Sequence, residues 1–236
     1  MSDNLSEERR LGLIIPGILP FAHDNEISEP ETLQYDKWFE LFGYPNIQTR
    51  TVEAHGGSEG LHTIESAYET ALENVLVQAA EKLAEMGCEA LSWTCTCASF
   101  VGGLTWSENQ VSALSKATGL PATSTSLAML EAVRTLGADT VDVVSPYPAE
   151  LSHRFLQFLD DAGVHVAAML SLDCIDETES NDLDIQSTVI QFDHALPNRA
   201  HPMLIPDTAI SAIALIPNLE AQIGRPVIAG NQATLW

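Results

Sequence analysis

Residues 140–170 read TVDVVSPYPAELSHRFLQFLDDAGVHVAAML, and this stretch decides the fold class. Residues 140–145, with Val141, Val143 and Val144, read as a buried strand. Residues 149–162 are predicted to be helical, with Gly163 closing the helix. Residues 164–170 return to strand. Such a strand–helix–strand unit is the building block of a parallel sheet.

The alternation continues outward in both directions. Upstream, LGLIIP (11–16) and residues 47–54 read as strands. Residues 60–86 read as one long helix, with Leu61, Ile64, Tyr68, Leu72, Val75, Ala79 and Leu83 at three- and four-residue spacing and Gly87 stopping it. A strand at 90–95, a helix at 103–118, a short strand at 120–123 and a helix at 126–136 follow. Downstream, the polar, acidic residues 173–184 are expected to be a surface loop. Then come an amphipathic helix at 185–196, a strand at 202–205, a helix at 210–223 and a last strand at 226–229. The expected class is α/β, with parallel sheets covered by helices on both faces. Ligand sites in such folds lie at the carboxyl ends of strands. That rule singles out residues 95–99, 145–147 and 206–208.

The 236 residues suit one large domain or two halves. Thirty-three acidic residues face ten basic ones, for a formal charge of −23. A surface this acidic repels nucleic acid and anionic membranes. The acids are scattered through apolar periodic segments, which argues against a disordered acidic tail. Adaptation to high salt, where screening suppresses self-repulsion, is the expectation. MSDNLSEERR has no apolar core of a secretory signal, and no run approaches the roughly 18 apolar residues of a membrane span. A cytoplasmic location follows as an expectation.

Motifs narrow the chemistry further. No GxGxxG follows a strand, and neither a Walker-type loop nor a GxSxG elbow is present, so dinucleotide, nucleotide-triphosphate and α/β-hydrolase chemistry are disfavoured. Cys95 and Cys97 lack a second cysteine pair for zinc, and the histidines show no metal-ligand spacing, so no metal is expected. His55 and His201 lie near strand ends and read as structural or surface residues, while Cys88 and Cys174 read as packing residues. Cys95 differs. It stands where a strand runs out, before Thr96-Cys97-Ala98-Ser99 and Gly102-Gly103, and backbone amides at such a turn favour the anion a reactive thiol needs.

The segment Trp93-Thr94-Cys95-Thr96-Cys97-Ala98-Ser99-Phe100 resembles the C-T-S-G-S-F motif of maleate cis–trans isomerases. It also resembles the G-T-S-x-S-F loop of arylmalonate decarboxylases; both belong to the aspartate/glutamate racemase superfamily. Further likeness lies in 117–121 and 130–137, in Ser145-Pro146-Tyr147, in Ile216-Pro217-Asn218-Leu219-Glu220, in Ile223-Gly224-Arg225-Pro226-Val227 and in Asn231-Gln232-Ala233. The resemblance implies two similar three-layer (αβα) halves related by a pseudo-two-fold axis, with the site in the cleft between them. Residues 1–120 would carry Cys95, with the C-terminal segment free to pack back onto that half, and 121–236 would carry Tyr147 and Asp207. It further implies a cofactor-independent enzyme acting on a small carboxylate. Cys95 falls on the isomerases' catalytic thiol, while Thr96, Cys97 and Tyr147 fall on carboxylate-binding positions; Asn231 is added from its matched segment, Thr208 for a hydroxyl that could hold a carboxylate, and Pro16 from the less similar N-terminal segment.

The departures are equally specific. Family members carry a second cysteine ten residues before the proline of the I-P-x-x-E segment, where this chain has Asp207. Asp207 would be the acid–base partner of Cys95, and it is also placed to cap a helix beginning near Ala209. Pro16-Gly17-Ile18-Leu19-Pro20 matches neither branch closely, and the chain stops at Trp236, sooner than the resemblance implies. An isomerase or racemase is the first expectation. An arylmalonate-type decarboxylase is the second, then a lyase or hydrolase using Cys95; a non-catalytic carboxylate-binding relative stays open. A homodimer is the default assembly.

Overall fold

The computed structural model describes residues 8–17, 21–23, 26–28, 31–56 and 60–236. Residues 18–20 of the Pro16–Pro20 comparison and residues 1–7 of the N-terminal segment lie outside them. The elements in order are β1 (Arg9–Pro16), β2 (Phe21–His23), β3 (Glu26–Ser28), α1 (Tyr35–Leu41), β4 (Ile47–Ala54), α2 (Ile64–Thr70) and α3 (Glu73–Glu85). Next come β5 (Ala90–Trp93), α4 (Thr96–Phe100), α5 (Leu104–Thr118), β6 (Ala122–Ser124), α6 (Thr125–Thr135), β7 (Thr140–Ser145), α7 (Ala149–Asp161) and β8 (His165–Ser171). The chain ends with α8 (Glu177–Asn181), α9 (Ile185–Ala195), β9 (Met203–Ile205), α10 (Ile216–Ile223), β10 (Val227–Ala229) and α11 (Gly230–Leu235).

Two four-stranded sheets form, ordered β4-β1-β5-β6 and β10-β9-β7-β8, with every neighbouring pair parallel. Counted within its own half, each sheet reads second, first, third, fourth strand, so the halves repeat one topology. Helices cover both faces, as parallel sheets require. The first sheet takes in β6, just past residue 120. The halves share a core: Phe100 and Val101 of the first pack in one buried cluster with Val143, Tyr147, Leu204 and Ile228 of the second. Near the chain's end, α11 returns to α6, where Thr234 and Thr125 share a hydroxyl hydrogen bond of 2.8 Å.

Three expectations need correction. The helix expected over 60–86 is two, because the Thr63 hydroxyl takes the Ser66 N–H and starts α2 there, and the helix breaks again at Ala71-Leu72. Residues 60–62 pair instead with 174–177, through an antiparallel bridge between Leu61 and Asp176. The acidic stretch 173–184 is not simply a surface loop: Asp176 caps α8, while Cys174 and Ser180 are buried. The helix expected over 210–223 begins only at Ile216, after a short 3-10 turn, with Pro217 in its first turn.

A buried ion cluster braces the second half. Arg225, 5 % exposed, contacts Asp142 of β7 and lies 2.8 Å from Asp193 of α9, and it donates to the His201 carbonyl at 2.7 Å. Among the described residues, no helix is long and apolar enough to cross a membrane.

Candidate active site

Four parallel strands deliver the site residues at their carboxyl ends. β1 ends on Pro16, β5 leads into Cys95 to Cys97, β7 into Tyr147, and β9 into Asp207 and Thr208. A small cavity of about 40 Å³ is lined by Pro16, Cys95, Thr96, Cys97, Asp207 and Thr208, together with His62. The structure thus brings Cys95 and Asp207, from different halves, to one cavity. A larger hollow of about 650 Å³ opens instead at the amino ends of β4 and β10, lined by apolar residues such as Phe39, Phe42 and Trp236; no cysteine or histidine is among the described residues lining it.

The Cys95 turn is held from below. Ser99 Oγ donates to the Thr96 carbonyl at 2.9 Å, Ser126 Oγ to the same carbonyl at 3.0 Å, and Gln110 Nε2 to the Ala98 carbonyl at 3.0 Å. These bonds satisfy the carbonyls of a tight, buried turn that would otherwise lose water without compensation. Cys95 Sγ and Cys97 Sγ lie 4.0 Å apart. That contact, then burial, and then the neighbouring charges keep Cys97 protonated well above the ordinary thiol range. Cys97 is therefore a resident S–H beside Cys95.

Tyr147 is fully buried, its carbonyl taken by Ser152 Oγ at 2.9 Å and Ser171 Oγ at 2.6 Å. Burial, reinforced by the charges of Asp207 and the two thiols, pushes its phenol well above the usual range, so it remains a donor. The Thr96 hydroxyl sits beside it, yet among the described residues neither oxygen completes a hydrogen bond of good geometry. Buried hydroxyls in that condition are suited to an incoming acceptor.

Asp207 has φ 120°, a conformation costly for any residue with a Cβ and one that clusters at functional sites. Its Oδ1 accepts the Ala209 N–H at 3.0 Å, which closes a two-residue turn and holds the strain. No helix begins at Ala209, so the expected capping role is corrected to this turn. Among the described residues Oδ2 has no hydrogen-bond partner, and it faces His62 Nε2 at 3.6 Å.

Asn231 lies behind the cavity instead of lining it. Its amide donates to Glu31 at 2.8 Å, to the Thr208 carbonyl at 3.0 Å and to the Ile210 carbonyl at 3.1 Å, while Oδ1 accepts from Tyr35 Oη at 2.7 Å. With its hydrogen-bonding capacity committed, Asn231 shapes the 207–210 turn and leaves nothing for a substrate. Glu31, also buried, accepts the Ala212 and Ile213 N–H groups at 3.2 Å and so ties residues near the N-terminus to the same loop.

Two residues of this site were missed from sequence. Glu31 lies in a segment given no reading, and His62 lay inside what was read as a continuous helix. The signal was Thr63-Ile64-Glu65, a cap residue followed by an acid in the first turn.

A model of the arylmalonate decarboxylase family matches residues 44–236. The chain belongs to the arylmalonate decarboxylase family. Within the wider aspartate/glutamate racemase superfamily, this family member sits in the maleate isomerase and arylmalonate decarboxylase branch. An arylmalonate decarboxylase from Bordetella bronchiseptica is 26% identical over 172 residues, 72% of this chain and 71% of that protein. A maleate isomerase from Geobacillus stearothermophilus is 22% identical over 161 residues, 66% of this chain and 64% of that one. Among solved structures, a mutant Nocardia farcinica maleate cis-trans isomerase with a covalently bound succinylcysteine intermediate shares the fold at a TM-score of 0.81. Its identity is 18%, across 96% of this chain and 89% of that chain.

Proposed function

We propose that this arylmalonate decarboxylase family member is a cofactor-independent isomerase of a small carboxylate or dicarboxylate, using Cys95 as nucleophile and Asp207 as acid–base partner. The observation that carries the reading is the meeting of Cys95 and Asp207, from separate halves, in one cavity beside the poorly satisfied hydroxyls of Thr96 and Tyr147. Those hydroxyls, with Thr208, would receive carboxylate oxygens without any lysine.

For a cis-enedioate, the Cys95 thiolate adds to one alkene carbon. A C–S bond forms, the π bond breaks, and its electron pair passes to the other carbon, which takes a proton from Asp207. Rotation about the resulting single bond, return of that proton to Asp207 and departure of the thiolate give the trans product. The covalent adduct corresponds to the succinylcysteine held by the Nocardia farcinica isomerase.

Size favours a compact substrate. A cavity of about 40 Å³ has room for a few waters, at about 10–15 Å³ each, and not for a dicarboxylate. The mouth must therefore widen for any organic acid, and least for a small one. A malonate decarboxylase, with Cys95 protonating the carbanion, is the second reading, supported by the 26% identity to the Bordetella bronchiseptica enzyme.

The test is proton NMR in D2O at high salt, offering maleate, aspartate, glutamate and substituted malonates to wild type and Cys95→Ser. The expected result is isomerised product, carrying solvent deuterium wherever the adduct's proton has exchanged, and lost in the variant. Decarboxylated product would establish the second reading. Ligand-dependent stabilisation without turnover would return the chain to a binding role.

A further inference from the structure

His62 has an acceptor on each side of its ring. Nδ1 lies 3.0 Å from the Cys174 carbonyl oxygen, and Nε2 faces Asp207 Oδ2 at 3.6 Å. A carbonyl cannot donate, so Nδ1 must carry a hydrogen there. In a neutral ring Nε2 would then be a bare lone pair aimed at the lone pairs of a carboxylate. One further proton on the His62–Asp207 pair turns that contact between two acceptors into an ion pair. The ring has little freedom to turn away, because its side chain is 4 % exposed and its edge-to-face contact with Tyr147 has centroids 4.8 Å apart. The backbone is pinned as well, with His62 N–H donating to the Ile175 carbonyl at 2.9 Å.

The surroundings reinforce this. Among the described residues, the titratable groups that contact His62 or line the cavity with it are Asp207, Glu177, Cys95, Cys97, Tyr147 and Cys174. Each is neutral or negative when it titrates. Among the described residues lining the cavity there is no lysine or arginine, so His62 is the one group there able to carry positive charge.

The geometry points to His62 as a positioning residue that stores the proton Asp207 hands to substrate, with Nε2 protonated in the resting enzyme. This inference rests on the isomerase reading for its chemical purpose. A thiol at position 207 would bring its own proton at neutral pH, whereas an ordinary aspartate is ionised and brings none. His62 restores the count. The proton moves from Nε2 to Asp207 Oδ2, leaving a neutral ring and a carboxylic acid; the acid protonates the substrate carbon, and the return step reverses both transfers.

The test does not need a substrate. The whole chain, labelled with ¹⁵N-histidine, is examined by NMR near neutral pH, and the His62 signals are identified by their loss in His62→Gln. Should that variant fail to fold, the through-space contact with the Tyr147 ring identifies them instead. The expected result is a protonated-type signal from both ring nitrogens. In Asp207→Asn, where the amide can donate to Nε2, that nitrogen should become unprotonated. An unprotonated Nε2 in the wild type, or a state indifferent to Asp207→Asn, would overturn the inference even if the enzyme isomerises maleate.

If maleate is turned over, His62→Gln should lower kcat at neutral pH by about 10²-fold, with KM changed less. Acidification should restore part of that loss as Asp207 takes its proton from solvent. A loss of equal size at every pH would mean that His62 is only a strut.

Discussion

Glu31→Gln probes the brace behind the 207–213 loop. Among the described residues, the Glu31 carboxylate of the wild type meets only donors: the Ala212 and Ile213 N–H groups and Asn231 Nδ2. Glutamine keeps one acceptor oxygen. Placed at Oε2, that oxygen keeps the Ala212 N–H and Asn231 Nδ2, and the new amide nitrogen at Oε1 faces the Ile213 N–H, donor against donor. Placed at Oε1, it keeps the Ile213 N–H but turns the amide nitrogen on both the Ala212 N–H and Asn231 Nδ2. Either way a buried polar group is left unmatched, at about 1–3 kcal/mol. Urea unfolding should register that loss as a lower midpoint at unchanged slope. The pH dependence adds a second signature. Burial outweighs the three donors and raises the Glu31 carboxyl from 4.5. The folded state then binds the proton more tightly than the unfolded state. This group's stabilising contribution is complete below about 4.5 and is lost as pH rises through the raised value. Glutamine lacks that decline. A variant within 0.5 kcal/mol of wild type (about the scatter of neutral surface changes), with the same pH profile, would refute the reasoning.

Three further outcomes are expected. Arg225→Met leaves Asp142 buried without its cation, although Asp193 keeps Arg199 at 3.2 Å; the loss should be about 3–5 kcal/mol by chemical denaturation, recovered in large part by adding Asp142→Leu. Alkylation of the folded protein near neutral pH, followed by peptide mass mapping, should modify Cys95 ahead of Cys97, Cys88 and Cys174. Burial raises the Cys88 and Cys174 thiols, while the contact with Cys95, then burial, raises Cys97. With a formal charge of −23, the melting temperature should rise between about 0.1 M and about 1 M KCl, as the Debye length shrinks from about 10 Å to about 3 Å; a flat or falling curve would contradict adaptation to salt.

The frame of this protein was legible because burial on both faces leaves a strong local signal. The strand at Thr140–Ser145 and the glycine-closed helix after it lie where the pattern placed them. The strand-end rule also singled out the segments that hold Cys95, Tyr147 and Asp207, of which Cys95 and Asp207 line one cavity. What stayed hidden depends on long-range pairing. His62 faces the cavity because residues 60–62 bond to 174–177, a partnership more than a hundred residues apart in the chain. Helical spacing through Leu61 and Ile64 concealed the break, since an apolar residue suits either reading. Asn231 shows the opposite case: its position in a matched segment was informative, but only its partners reveal that it supports the loop.

The central claim is that Cys95 and Asp207 act as one unit across the cavity. Its most direct test is the maleate turnover rate of Cys95→Ala, Asp207→Asn and the double variant, each with its fold checked by unfolding midpoint. Groups that act together should each cost about 10³-fold alone, with the double variant little worse than either single one. Turnover by Cys95→Ala within a few-fold of wild type would contradict the account, as would strictly multiplicative losses.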